Sequence, residues 1–169
     1  MGIFIALLRA VNVGGTGKLP MAELKAMCAE IGFADARTYI ASGNVVFSSA
    51  LTAGEVKARL EARLAAHAGK PVGVMVRTDA EMARVLADNP FAGQPPSQVV
   101  AIFLDDAPPA DALQGVTNRS GEDIALGARE IYVHYDQGMG QSRLTIPAAR
   151  RGTARNMNTV AKLAAMAGA

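Results

Sequence analysis

Two groups of residues carry side chains suited to holding an anion. The first is Arg9, Asn12, Gly14, Gly15, Lys18, Ser42 and Asn44, in which two cations and three neutral polar groups accompany a glycine pair whose backbone admits close approach. The second is Arg155 and Asn156, which lie in an acid-free segment, 137 to 169, with Arg143, Arg150, Arg151 and Lys162. Thr153 reads as the N-cap of a C-terminal helix, which places Arg155 in its first turn. An exposed cation there costs about 0.3–1 kcal/mol, and a nearby anion would reverse the sign. The expectation is one cleft lined by Arg9, Asn12, Lys18, Ser42 and Asn44 and closed by Arg155 and Asn156.

Other chemistries fit less well. Gly17-Lys18 resembles the end of a P-loop, but the first glycine of that motif falls on Asn12 and its magnesium-binding hydroxyl on Leu19. Gly138-Met139-Gly140 lacks the third glycine of a dinucleotide fingerprint. No metal-ligand spacing occurs, no cofactor is implied, and no catalytic residue stands out. His67 is expected to sit quietly at the negative end of a helix dipole. Glu130, Tyr132 and His134 alternate along one strand, an arrangement capable of acid–base work but expected to form a solvated face.

These residues must be positioned by ordinary elements. Ile3 to Leu8 is apolar throughout, as in a central strand covered on both faces. A helix is expected after Pro20, taken as its first position, with Gly32 ending it. Met21, Leu24, Met27, Cys28 and Ile31 share its inner stripe, so Cys28 is expected to be buried and inert. Residues 37 to 42 and 44 to 48 meet at Ser42-Gly43-Asn44, a hairpin signal. A helix over 54 to 68 and a strand over 72 to 77 complete a βαββαβ order, in which a sheet ordered 4-1-3-2 brings the ends of strands 1 and 2 side by side.

A third helix, 79 to 87, leads to the Pro- and Gly-containing stretch 89 to 96, read as a linker between one subdomain at 1 to 88 and another at 97 to 169. The second contains a strand over 99 to 104, a short helix over 109 to 114, a strand pair over 123 to 126 and 130 to 135, and a helix over 153 to 167. Its βαββα order repeats most of the first half without sequence identity. The expected class is α+β, built from two ferredoxin-like subdomains, the first an antiparallel βαββαβ sheet and the second incomplete.

The chain has 169 residues, a hydrophobic fraction of 50% and a net charge of +2, values that exclude a disordered chain. No apolar run is long enough for a membrane span, and the opening residues lack the basic start and cleavage site of a signal peptide. With a single cysteine, these features lead to the expectation of a cytoplasmic protein with no membrane partner.

Several stretches resemble a family of bacterial proteins, domain of unknown function 1697: Ala6 to Gly15, Met21 to Lys25, Gly32-Phe33, Thr38 to Phe47, and Thr153 to Val160. Ala10 stands where that family usually has glycine, and Met157 where it usually has tryptophan. The resemblance implies two α+β subdomains of ferredoxin-like character and no assigned activity.

The leading functional expectation is binding of a phosphorylated or anionic ligand, a nucleotide or RNA segment, at the C-terminal end of strand 1. An aromatic content of 5% without tryptophan argues against general RNA binding. The alternatives are a small-molecule enzyme using Arg9, Asn12, Ser42, Asn44 and Tyr39, and a ligand-free structural or oligomerisation protein.

Overall fold

The structure is a computed structural model that describes residues 1 to 12 and 18 to 168. Gly2–Leu8 forms β1, and every side chain from Phe4 to Leu8 is buried. Strand alternation sends Phe4, Ala6 and Leu8 to one face and Ile5 and Leu7 to the other, so both faces are covered as the unbroken apolar run implies. The remaining elements of the first half are α1 (Met21–Glu30), β2 (Ala34–Thr38), β3 (Asn44–Ser49), α2 (Ala53–Ala68), β4 (Val74–Thr78) and α3 (Asp79–Ala87).

β1 pairs antiparallel with β3 on one edge and with β4 on the other, and β2 flanks β3. The order β2-β3-β1-β4 is the expected one, with β1 interior. One face carries a core in which Phe4, Ala6, Leu8, Val45, Phe47 and Val76 meet Leu24, Met27 and Cys28 of α1 and Val56, Leu60 and Leu64 of α2. The rings of Phe33 and Phe47 stack at 4.2 Å within it.

Local chemistry sets the helix limits. Thr52 and Glu55 form a reciprocal capping box at the start of α2, and Gly69, at φ 73°, ends it in the left-handed conformation. Pro20 precedes α1 in an extended conformation, one position before the helical residue expected for it.

The second half contains β5 (Val99–Phe103), β6 (Asp123–Leu126), β7 (Glu130–His134), β8 (Thr153–Asn156) and α4 (Met157–Gly168). Its sheet, ordered β6-β7-β5-β8, is also wholly antiparallel. The fold is therefore mixed α+β, with two four-stranded antiparallel sheets and four α-helices among the described residues. The chain forms two compact units, Met1–Met82 with Leu163–Ala169, and Ala83–Lys162. No helix of the described residues is long and apolar enough to cross a membrane.

Two expectations are corrected here. Residues 109 to 114 form successive turns rather than a helix: Ala112 N–H donates to Pro109 O and Gln114 N–H to Asp111 O, with three-residue spacing throughout. Thr153 is not a helix cap. It begins β8, where Thr153 pairs with Phe103 and Arg155 with Ala101. Helix α4 starts four residues later, with Asn156 as the capping side chain, its Oδ1 accepting the Thr159 N–H at 3.0 Å.

The same junction occurs in the first unit. Thr78 ends β4 and its hydroxyl accepts the Glu81 N–H, while Glu81 returns a carboxylate to the Thr78 N–H. In each unit a buried arginine, Arg77 or Arg155, precedes the capping residue on the last strand.

Gly152 shows how closely β8 approaches β5, because a Cβ there would lie 2.8 Å from Phe103 O and 2.8 Å from Ile102 Cγ2. Gly152→Ala is expected to lower the unfolding free energy by about 1–3 kcal/mol in denaturant melts; an unchanged midpoint would refute this packing. Cys28 is fully buried, and desolvation pushes its thiol up to about 12. A maleimide should label it only after unfolding. Because the folded state holds that proton more tightly, the thiol's contribution to stability is complete below about 9 and declines as pH rises toward 12.

Candidate functional site

Three connections meet at one end of the first sheet. β1 and β2 each run antiparallel to β3, so they share a direction, and the segment leaving β1 lies beside the turn that leaves β2. The link from α2 arrives at the same end, since Val74 at the start of β4 pairs with Leu8 at the end of β1.

Asn12 fastens the first two connections together. Its Nδ2 donates to Leu19 O and to Ala41 O, both at 2.8 Å, while its Oδ1 accepts the Leu19 N–H at 2.7 Å. Its φ of 55° is left-handed, which asparagine tolerates better than most residues. Ala10, at φ 57°, shares that conformation, which explains why glycine would suit the position.

The β2–β3 turn is fixed from within. Asn44 is completely buried, and its Nδ2 donates to Tyr39 O and Ser42 Oγ at 2.9 Å each. Gly43 lies against the end of β1: its carbonyl accepts the Leu8 N–H at 2.8 Å, and a Cβ on it would lie 2.7 Å from Val11 Cγ2. Asn12, Ser42 and Asn44 are thus bonded to the protein's own turn and loop.

A cavity of about 480 Å³ opens beside this assembly. Its apolar floor is Val11, Leu19 and Leu64, all buried, and its polar lining is Arg9, Lys18, His67 and Lys70, all exposed. Of the first expected set, Arg9 and Lys18 share this cavity, and Asn12, Ser42 and Asn44 are absent from its lining. Gly14 and Gly15 lie outside the described residues.

His67 and Lys70 were not part of the expected site. They come from the last turn of α2 and the link after Gly69, next to the end of β1 because β4 pairs there. The sequence signal was present in Gly69-Lys70-Pro71, a helix stop followed at once by a cation. The carboxylate nearest to His67 is that of Glu23, at 3.4 Å from Nε2. Arg9, Lys18 and Lys70 bring three cationic side chains to the lining, and the Glu23 carboxylate beside His67 and the C-terminus of α2 are the negative groups near it.

Arg155 and Asn156 belong to the second unit. The Arg155 guanidinium donates to Thr153 Oγ1 at 2.6 Å and to Ala154 O at 2.9 Å, and burial lowers its pKa to about 10, which leaves it charged at neutral pH. The Asn156 side chain caps α4.

The Glu130, Tyr132 and His134 row is not solvated, contrary to expectation: all three are buried, because β7 is an interior strand covered on both faces. The Tyr132 hydroxyl donates to Val85 O at 2.8 Å, and burial raises its pKa beyond the ordinary phenol range. His134 Nδ1 lies 3.7 Å from the Asp123 carboxylate, and its buried Nε2 has no hydrogen-bond partner among the described residues. Among those residues no three His, Cys, Asp or Glu side chains gather in a way that could hold a metal ion.

The sequence profile of a family described as protein of unknown function (DUF1697) matches residues 1 to 132. A solved structure described as a conserved bacterial protein from Streptococcus pneumoniae is similar across 98% of both chains, with a TM-score of 0.81 and 22% identity. That likeness supports the fold. No curated protein matches significantly.

Because Asn12 joins both ends of one loop to a turn, Asn12→Ala should cost about 2–4 kcal/mol of stability from three lost hydrogen bonds and a left-handed alanine. Lys18→Ala, at an exposed cavity position, should change stability by no more than about 0.5 kcal/mol. Chemical denaturation of both variants checks the contrast, and equal effects would remove the distinction between clamp and cavity.

Proposed function

We propose that this chain, which belongs to the DUF1697 family of proteins of unknown function, binds a phosphorylated or otherwise anionic small molecule in the cavity at the C-terminal end of β1. The observation that carries this reading is the lining: Arg9, Lys18, Lys70 and His67 surround an apolar floor with no carboxylate among the lining residues. The charges attract a phosphate, and Val11, Leu19 and Leu64 accept an apolar group attached to it. A mononucleotide has both parts. An RNA segment is a weaker fit, since the lining contains no Phe, Tyr or Trp on which bases could stack.

A ferredoxin-like character for both units and a cytoplasmic setting belong to the same reading. The first is supported by the strand orders β2-β3-β1-β4 and β6-β7-β5-β8, and the second by the lone, buried thiol. An enzyme built on Asn12, Ser42 and Asn44 is less well supported, because those side chains are engaged by the turn and loop they hold.

Calorimetric titration of ATP, AMP, inorganic phosphate and a short single-stranded RNA into wild type, Arg9→Ala and Lys70→Ala tests the proposal at two salt concentrations. Each substitution should weaken nucleotide binding about tenfold, and added salt should weaken the wild type. Equal affinities in all three proteins, or affinity indifferent to salt, would overturn it.

A further inference from the structure

A second cavity, of about 600 Å³, lies wholly within the second unit. Asp123 at the start of β6 pairs with His134 at the end of β7, so the loop entering β6 and the loop leaving β7 meet at one end of that sheet. Glu122, only 5% exposed, joins them. One of its oxygens accepts the Ser120 N–H, the other accepts the Ser142 hydroxyl at 2.6 Å, and its backbone carbonyl accepts Arg119 Nε–H at 2.7 Å. The Ser142 and Ser120 hydrogen bonds hold its carboxyl below the usual range, so it is an acceptor at neutral pH.

Beside it stands Tyr135, which is 8% exposed and lines the cavity. Burial, reinforced by the Glu122 charge, raises its phenol pKa, so the hydroxyl keeps its proton. Among the described residues no group hydrogen-bonds that hydroxyl. That hydroxyl is reached by solvent and, since Tyr135 lines the cavity, it is open to a ligand atom entering there.

The rim decides the class of ligand. Arg119 and Arg143 balance Glu122 and Asp136, so the lining has no net formal charge, and the side-chain amides of Gln137 and Gln141 add neutral donors and acceptors. An anion meets two carboxylates here and a cation meets two guanidiniums. A hydroxyl group both donates and accepts, so it satisfies either kind of partner. We propose that this cavity binds a neutral polyhydroxylated molecule, a mono- or disaccharide, through the Tyr135 hydroxyl and the Glu122 carboxylate at its base and the arginines and amides at its rim. The volume lies within the range of small-molecule sites.

The test is an NMR titration of the amide resonances of the full chain with glucose and sucrose, and with inorganic phosphate and glycine as anionic and zwitterionic probes. It is run on wild type, Tyr135→Phe and Arg9→Ala at two salt concentrations. Either saccharide should shift resonances between residues 118 and 143 with an affinity indifferent to salt. Tyr135→Phe should weaken that binding about tenfold while leaving the unfolding midpoint unchanged, since the hydroxyl has no partner within the fold. Arg9→Ala should bind saccharide as wild type does, which separates this site from the anion cavity of the first unit. No saccharide-induced shifts in that segment, equal affinity in Tyr135→Phe, or a larger response to phosphate or glycine would overturn the proposal.

Discussion

β1 is hydrogen-bonded along both edges and covered on both faces, and that double enclosure governs where the first unit can do anything polar. A strand so enclosed has no room for an unpaired donor or a hydrated charge. Polar groups are therefore displaced to the ends of the sheet. At the end where Leu8 stops, one loop, one turn and the link from α2 converge, and their carbonyls and N–H groups need partners. Asn12 and Asn44 supply them. Arg9, Lys18 and Lys70, at the same end, stand where water reaches them.

The parts of this arrangement that depend on local physics were legible in the sequence. The unbroken apolar run of β1, the Ser42-Gly43-Asn44 turn and the stripe containing Cys28 each follow from periodicity or from the backbone freedom of a glycine. The parts that depend on remote pairing were not. Thr153 to Asn156 is a strand only because β5, some fifty residues earlier, offers it an edge. In isolation a threonine before an arginine and an asparagine also reads as a helix start, and asparagine caps a helix as well as threonine does. The burial of the Glu130, Tyr132 and His134 row is likewise a consequence of β7 being interior, which alternation alone does not reveal.

The candidate site divides along the same line. Arg9 and Lys18 were visible as cations flanking a glycine-rich loop, whereas His67 and Lys70 enter the cavity only because β4 is the neighbour of β1. The polar side chains of the turn were equally visible, yet their types alone did not distinguish groups that hold a ligand from groups that hold the chain. Hydrogen-bond geometry shows that Asn12, Ser42 and Asn44 hold the chain. The two cavities also differ in kind: the formally charged residues lining the first are Arg9, Lys18 and Lys70, whereas those lining the second balance, so the units present different electrostatic environments despite their matching strand orders.

The course of α4 has a consequence for biosynthesis. Its residues from Leu163 onward belong to the first unit, where Leu163 is fully buried and the Met166 carbonyl accepts a hydrogen bond from Arg37 at 2.8 Å. At ribosomal rates of about 5–20 residues per second, roughly 10 to 30 seconds separate the synthesis of β1 from that of Leu163. Throughout that interval the first unit lacks a segment of its own core, and its most apolar strand has emerged before the last chain segment that completes the unit. The first-made unit is therefore completed only after the second has been synthesised.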